Sequence, residues 1–263
     1  MYADLVRYRE LFESLFRRDV QARYKGTALG VAWSLVNPLL LTLIYLLVFS
    51  LLWKVIAVDH AALFLLAGLA PWAFFSTTLQ TASRSMLDNA NLIRKTRFPR
   101  QLLPLSIVAT NLVSFGVMLA VLLALNFVLL PRVRATEWLA LPLALTFVAL
   151  VGGLAVALAA LTVLFRDIEH LMAALLLPWF FLTPILYTTE QLPGAASGYE
   201  HVATALRYGN FIAPPIDAIR DPLFFGELPR VIDVVYLLVA TACSLALGAF
   251  VFSRVDDRIA VEL

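Results

Sequence analysis

Apolar residues gather along the chain into six long runs separated by polar stretches. A helix that crosses a bilayer needs roughly 20 consecutive, mostly apolar residues. Six segments meet that length: 33–53, 61–82, 101–130, 138–165, 171–189 and 231–253. Asp233, near the start of the sixth, is the only charged residue inside them. The pattern predicts an all-α integral membrane protein of six transmembrane helices. The third run is long enough to tilt or to begin in the interface.

The polar stretches carry patterns of their own. Between Asp4 and Tyr24, apolar side chains fall at Leu5, Tyr8, Leu11, Phe12, Leu15 and Phe16, with arginines on the opposite face. That spacing predicts an amphipathic helix on the inner membrane surface. The alternative is a solvated basic leader that only sets topology. Ser83 to Arg100 reads as a polar connection closing in a basic cluster and Pro99. The segment from Glu190 to Arg230 is too long for a simple hairpin loop. Its apolar stretches, Phe211 to Ile219 and Leu223 to Phe225, are broken by Pro214, Pro215, Pro222 and Pro229. They are too short to span and predict re-entrant or interfacial helices. The organisation is one domain: an interface helix within 1–30, five spans over 33–189, an outer gate segment at 190–230, and a last span at 231–253.

Charge fixes the orientation. Cytoplasmic loops hold the excess of Lys and Arg. Fourteen of the 20 basic residues fall before span one, between spans two and three, between four and five, and after six. The other six lie in the alternate loops, so both termini are expected in the cytoplasm. Composition agrees: 62% of the 263 residues are hydrophobic and 14% are charged, against about 25% charged in soluble domains. A net charge of +2 gives no reason to expect a nucleic-acid partner. One cysteine, Cys243, allows no disulfide framework. The first apolar run follows a long charged segment, so no cleavable signal peptide is expected.

Candidate chemistry is sparse. His60, His170 and His201 are far apart, and no His/Cys/Glu cluster has metal-ligand spacing. Mid-span positions lack the ionisable group that an ion-coupled carrier uses. No Gly is followed by Lys, which excludes a G-x-x-x-x-G-K-[ST] phosphate loop. No catalytic residue and no metal or cofactor is therefore expected in this chain. Any uphill movement needs energy from a separate chain. Trp33, Trp53 and Trp138 fit the aromatic belts of the two interfaces. Tyr45, Phe49, Trp72, Phe75, Trp179 and Phe181 fall deeper, in spans one, two and five. Their rings either pack between helices or offer flat faces to passing sugars. Ala149, Gly153 and Ala157 recur every fourth residue on span four, which permits close helix approach. Gly26 and Gly30 predict a bend between surface helix and first span.

The run Arg17-Arg18-Asp19-Val20-Gln21-Ala22-Arg23-Tyr24-Lys25-Gly26-Thr27-Ala28-Leu29-Gly30, continuing through Trp33 to Leu39, resembles the opening signature of the membrane subunits of type-2 ABC exporters for bacterial polysaccharides, of the O-antigen and teichoic-acid kind. Phe98-Pro99-Arg100, Leu164-Phe165-Arg166-Asp167-Ile168, Phe181 to Tyr187, and Pro214 to Arg220 resemble it in the same order. Ala213-Pro214-Pro215-Ile216 departs from it, since relatives more often carry an Asn-Pro pair there. The resemblance implies a channel-forming permease of the bacterial inner membrane, serving lipopolysaccharide biosynthesis. It implies a homodimer with two copies of a separate subunit that binds ATP and Mg. The implied cargo is polysaccharide on undecaprenyl diphosphate. Arg17, Arg18, Arg23 and Lys25 would then draw that lipid diphosphate to the inner leaflet, or serve as ordinary contacts to anionic lipid. Ser85, Asp88, Asn89, Asn91, Arg94 and Lys95, with Arg166 and Asp167, would dock the ATPase. Alternatives are an ABC exporter of a drug or lipid, and an integral membrane glycosyltransferase whose best outer carboxylates are Glu190, Glu200 and Asp217.

Overall fold

A computed structural model describes residues 7–27, 30–52, 59–130, 136–187, 204–205 and 207–262. Every regular element among them is helical: α1 (Arg9–Tyr24), α2 (Trp33–Tyr45), α3 (Ala61–Asp88), α4 (Ala90–Lys95), α5 (Leu102–Leu129), α6 (Glu137–Leu164), α7 (Asp167–Leu182), α8 (Ala213–Arg220) and α9 (Val231–Glu262). Trp53, Lys54, Arg132, Arg134, Glu190, Glu200 and His201 lie outside the described residues.

Among the described residues, four helices are long and apolar enough to cross a membrane: α3, α5, α6 and α9 over Val231–Asp256. They arise from the second, third, fourth and sixth apolar runs. The first and fifth runs give shorter helices. α2 has 13 residues and then widens into π-type turns over Leu46–Leu52. α7 has 16 residues, roughly 24 Å at 1.5 Å per residue against a hydrocarbon core of about 30 Å. Its end has a local cause. The Thr183 hydroxyl and amide both donate to the Trp179 carbonyl, at 2.8 and 3.0 Å. Pro184 then follows, and it has no N–H to continue the ladder.

α3 is the central post. Of its apolar stretch 78% is buried, against 28% for α5 and 22% for α9. Burial follows from neighbours, because α3 packs against α2, α5, α6, α7 and α8. The most extensive pairing is α6 on α9. It turns on two glycines. A Cβ on Gly153 would sit 2.5 Å from the Ser244 carbonyl carbon, and one on Gly248 would sit 2.5 Å from the Gly153 carbonyl oxygen. The small-residue repeat on the fourth run is thus spent on α9.

A second core closes the Arg-rich end. Leu15 of α1, Met86 of α3, Ile93 of α4, Leu102 and Leu103 of α5, Val163 of α6, and Phe252 and Ile259 of α9 pack together there. α1 is therefore docked on protein along its apolar face. Tyr8, Leu11 and Phe12 lie against this core, and Leu5 is outside the described residues. Ser106 donates to Asp19 at 2.9 Å, and the Tyr24 hydroxyl lies 2.8 Å from that of Ser114. α1 thus runs beside the first turns of α5. The chain leaves α1 through Gly26 at φ 80° and Gly30 at φ 50°, left-handed conformations that L side chains resist. This is the bend that the two glycines predict.

Candidate functional site

The deep aromatics meet. Tyr45 touches Phe49 edge-on at 6.0 Å and stacks on Phe180 at 5.6 Å. Phe180 touches Trp72 at 5.6 Å and Phe181 at 5.2 Å. Trp72 leads to Phe75, Phe75 to Trp179 at 5.4 Å, and Trp179 to Phe211 at 5.0 Å. One chain of rings therefore links α2, α3, α7 and Phe211 just before α8. The six predicted rings differ in access. Phe75 is fully buried and Trp72 nearly so, while Phe181 is 51% exposed. Tyr45, Phe49 and Trp179 are half-buried. The buried pair backs the others, and the accessible faces are those on α2 and α7. The Trp179 indole donates to the Asn210 side-chain oxygen at 2.9 Å, which fixes the ring.

The segment that leads into α9 is pinned by an ionic cluster that sequence reasoning missed. Arg207 bridges Asp233 of α9 at 2.5 Å and Asp217 of α8 at 3.2 Å. Asp217 also pairs with Arg220 one turn later. Arg220 donates to the Pro184 carbonyl at 3.0 Å and lies over the Phe64 ring at 4.5 Å. All four charged residues are buried. The two partners of Asp217 make it an ion-pair centre rather than a free carboxylate. Beyond α8, π-type turns over Asp221–Phe225 continue the segment. The Asn126 amide of α5 donates to the Leu223 carbonyl at 2.6 Å. Burial, with Asp217 close by, pushes the Asp221 carboxyl up to about 6. Two signals in the sequence point to this cluster: the i, i+3 spacing of Asp217 and Arg220 in an apolar stretch, and the lone Asp233 in an apolar run. Nothing in one sequence pairs them.

At the other end, two connections share one face. Arg84, near the end of α3, reaches Glu169 of α7 at 2.8 Å. Asn89 ends α3, bonds back to the Ser85 carbonyl at 2.8 Å, and accepts from Arg18 of α1 at 2.8 Å. Asp88, Asn91, Arg94, Lys95, Arg166 and Asp167 are exposed there. Ser85 is buried, its hydroxyl turned to the Ala82 carbonyl of its own helix. Arg94, Lys95, Arg97 and Arg100 line a basic recess of about 560 Å³ beside α9. Arg100 closes it through Asp256 at 2.9 Å.

The four cations of the opening signature do not converge. Arg17 pairs with Glu13 at 2.5 Å, and Arg18 with Asp19 at 2.8 Å. Lys25 is exposed. Arg23 points the other way, donating to the Asn111 side-chain oxygen at 2.6 Å.

A profile of the ABC-2 type transporter family matches residues 10–221. A curated protein of Myxococcus xanthus, an O-antigen export system permease protein, is 38% identical over 194 residues, 70% of each chain. Two Klebsiella pneumoniae proteins of the same name are 32% and 30% identical over 254 residues, covering 95% of this chain and 94% of theirs.

Proposed function

The chain belongs to the ABC-2 type transporter family, and from that premise we propose that it is the channel-forming subunit of an ATP-driven exporter of O-antigen-like polysaccharide. The observation that carries the reading is the similarity over 95% of the chain to permeases named for O-antigen export. In this reading the protein is multi-pass in a bacterial inner membrane, with both termini in the cytoplasm and six crossings. α2 and α7, joined by the Tyr45–Phe180 stack, supply the first and fifth. α8 and its following turns act as a re-entrant outer gate.

The working unit is a homodimer with two ATPase chains, which bind ATP and Mg. Leu39 and Leu43 of α2 and Leu171, Leu175, Leu177 and Phe181 of α7 are all exposed apolar residues. A second copy facing them encloses a pathway that one copy is too small to form. Tyr45, Phe49, Trp179 and Phe181 then offer ring faces to a sugar chain, with Trp72 and Phe75 as their buried support. Sugars pack well on such faces because ring and sugar share apolar flats with polar edges. Arg17, Arg18 and Lys25, exposed at the Arg-rich end, draw the polymer's lipid diphosphate to the inner leaflet.

The test is complementation. In a strain lacking its own O-antigen permease, this chain and its ATPase should restore surface polysaccharide. Trp179→Ala and Phe181→Ala should cut export severalfold without loss of inserted protein. Inserted, ATPase-bound protein that restores no polysaccharide defeats the reading. Full export by the Ala variants defeats the stacking part alone.

A further inference from the structure

A cavity of about 370 Å³ lies where α1 meets α2, α3 and α5. Its polar wall holds Arg23, Asn37, Thr77, Asn111 and Ser114. Its back is Phe74, Phe115 and Met118, all buried. Arg23 enters this space, and its partner among the described residues is a neutral amide, that of Asn111. Among the described residues no carboxylate lies within ion-pair range of it. A guanidinium beside an apolar wall has lost hydration and gains most from an anion.

We propose that this cavity binds the phosphodiester headgroup of a phospholipid from the Arg-rich side of the membrane. Three features select that occupant. The first is charge: one cation balances the single negative charge of a phosphodiester, whereas a diphosphate would keep an excess. The second is the polar lining: the Asn37 amide and the Thr77 hydroxyl suit phosphate and glycerol oxygens, while Asn111 holds Arg23 and Ser114 holds Tyr24 in place. The third is the tail path. Trp33 and Asn37 line the cavity, and Leu40 and Ile44 continue the same helical face outward along α2. Trp33, Leu40 and Ile44 are 50%, 51% and 53% exposed. An acyl chain fits along that stripe. The closed aromatic back leaves no passage for a glycan, so the site holds a resident lipid and not cargo in transit. The lipid would join α1 to three membrane helices at the junction between the docking platform and the bundle. This goes beyond the transport reading and holds whatever the exporter carries.

The experiment uses the full chain with its ATPase in nanodiscs of phosphatidylglycerol and phosphatidylcholine. The complex is re-extracted in mild detergent, and retained phosphatidylglycerol is measured by mass spectrometry. Arg23→Gln should lower retention about tenfold, the scale of a lost charge-assisted bond. Ala73→Leu, which fills the cavity without changing charge, should lower it similarly. Arg254→Gln, an exposed cation elsewhere on the same end, should leave it unchanged. Wild-type retention by both cavity variants overturns the proposal, as does equal loss from Arg254→Gln, which means surface attraction only. A photo-crosslinker replacing Thr77 in an otherwise natural chain covers the case where the variants do not assemble. Its adduct should have the mass of a phospholipid. A polyprenyl diphosphate adduct, or none, overturns the proposal while leaving the export reading untouched.

Discussion

Arg207 shows what single residues do in this fold. It holds Asp217 of α8 and Asp233 of α9 together without solvent. Removing one partner of a buried ion pair costs about 3–5 kcal/mol, because the other charge is stranded. Arg207→Leu should therefore lower the thermal midpoint of the purified complex sharply. Arg207→Leu with Asp233→Leu should cost less than the two single losses added, since neither charge is left alone. Additive losses would show that the pair does not couple. Asp221 gives a pH signature at the same scale. Its folded carboxyl titrates near 6, above its ordinary 3.8. A raised value means the folded state holds the proton more tightly than the unfolded chain. The resulting stability is complete below about 3.8 and is lost as pH rises through 6. Protection of the outer segment from protease should thus be greater at pH 5 than at pH 7.5. Asp221→Asn should flatten the difference, and an unchanged pH dependence in that variant would assign it to another group.

Among the elements, the pairing of α6 with α9 rests on backbone contact at Gly153 and Gly248. Gly153→Val must part the two helices, since backbone atoms cannot yield as a flexible side chain can. A loss of about 1–3 kcal/mol is expected for such overpacking, read as lower folded yield in detergent. Val at Gly152, whose Cβ would meet nothing within 4 Å, should cost less. Equal losses would place the effect in helix propensity. The repeat on α6 was legible because close approach demands small residues at fixed spacing; Ala240, Ser244 and Gly248 on α9 share that spacing, but nothing local in one sequence pairs the two repeats. The ends of α5 and α6 agree with their apolar runs to within a residue. The fifth run overshoots because hydropathy does not register the Thr183 cap or the helix-stopping Pro184. The deep rings were legible one by one as aromatics in apolar runs. Their joining through Phe180 and Phe211 was not, since packing across helices leaves no local spacing.

At the scale of the molecule, the charged ends do different work. The end that holds α8 buries four charges in the Arg207 cluster, whereas the Arg-rich end displays its cations on α4 and beside α7. Arg84–Glu169 and Arg18–Asn89 tie α1, α3 and α7 into one face. The second apolar core lies beneath it and reaches α5, α6 and α9. A partner pressing on α4 thus pushes on a connected platform rather than a loose loop. Arg94 and Lys95 are exposed on that helix, so they can meet a partner of opposite charge. Arg94→Glu with Lys95→Glu should reduce co-purification of the ATPase tenfold or more while leaving the chain inserted. Ser85→Ala should leave the yield of complex unchanged, because its hydroxyl faces its own helix and not the surface. Wild-type recovery of the ATPase by the double charge reversal would exclude α4 as the docking element. The platform would then need to engage its partner through α1 or the Arg166–Asp167 corner.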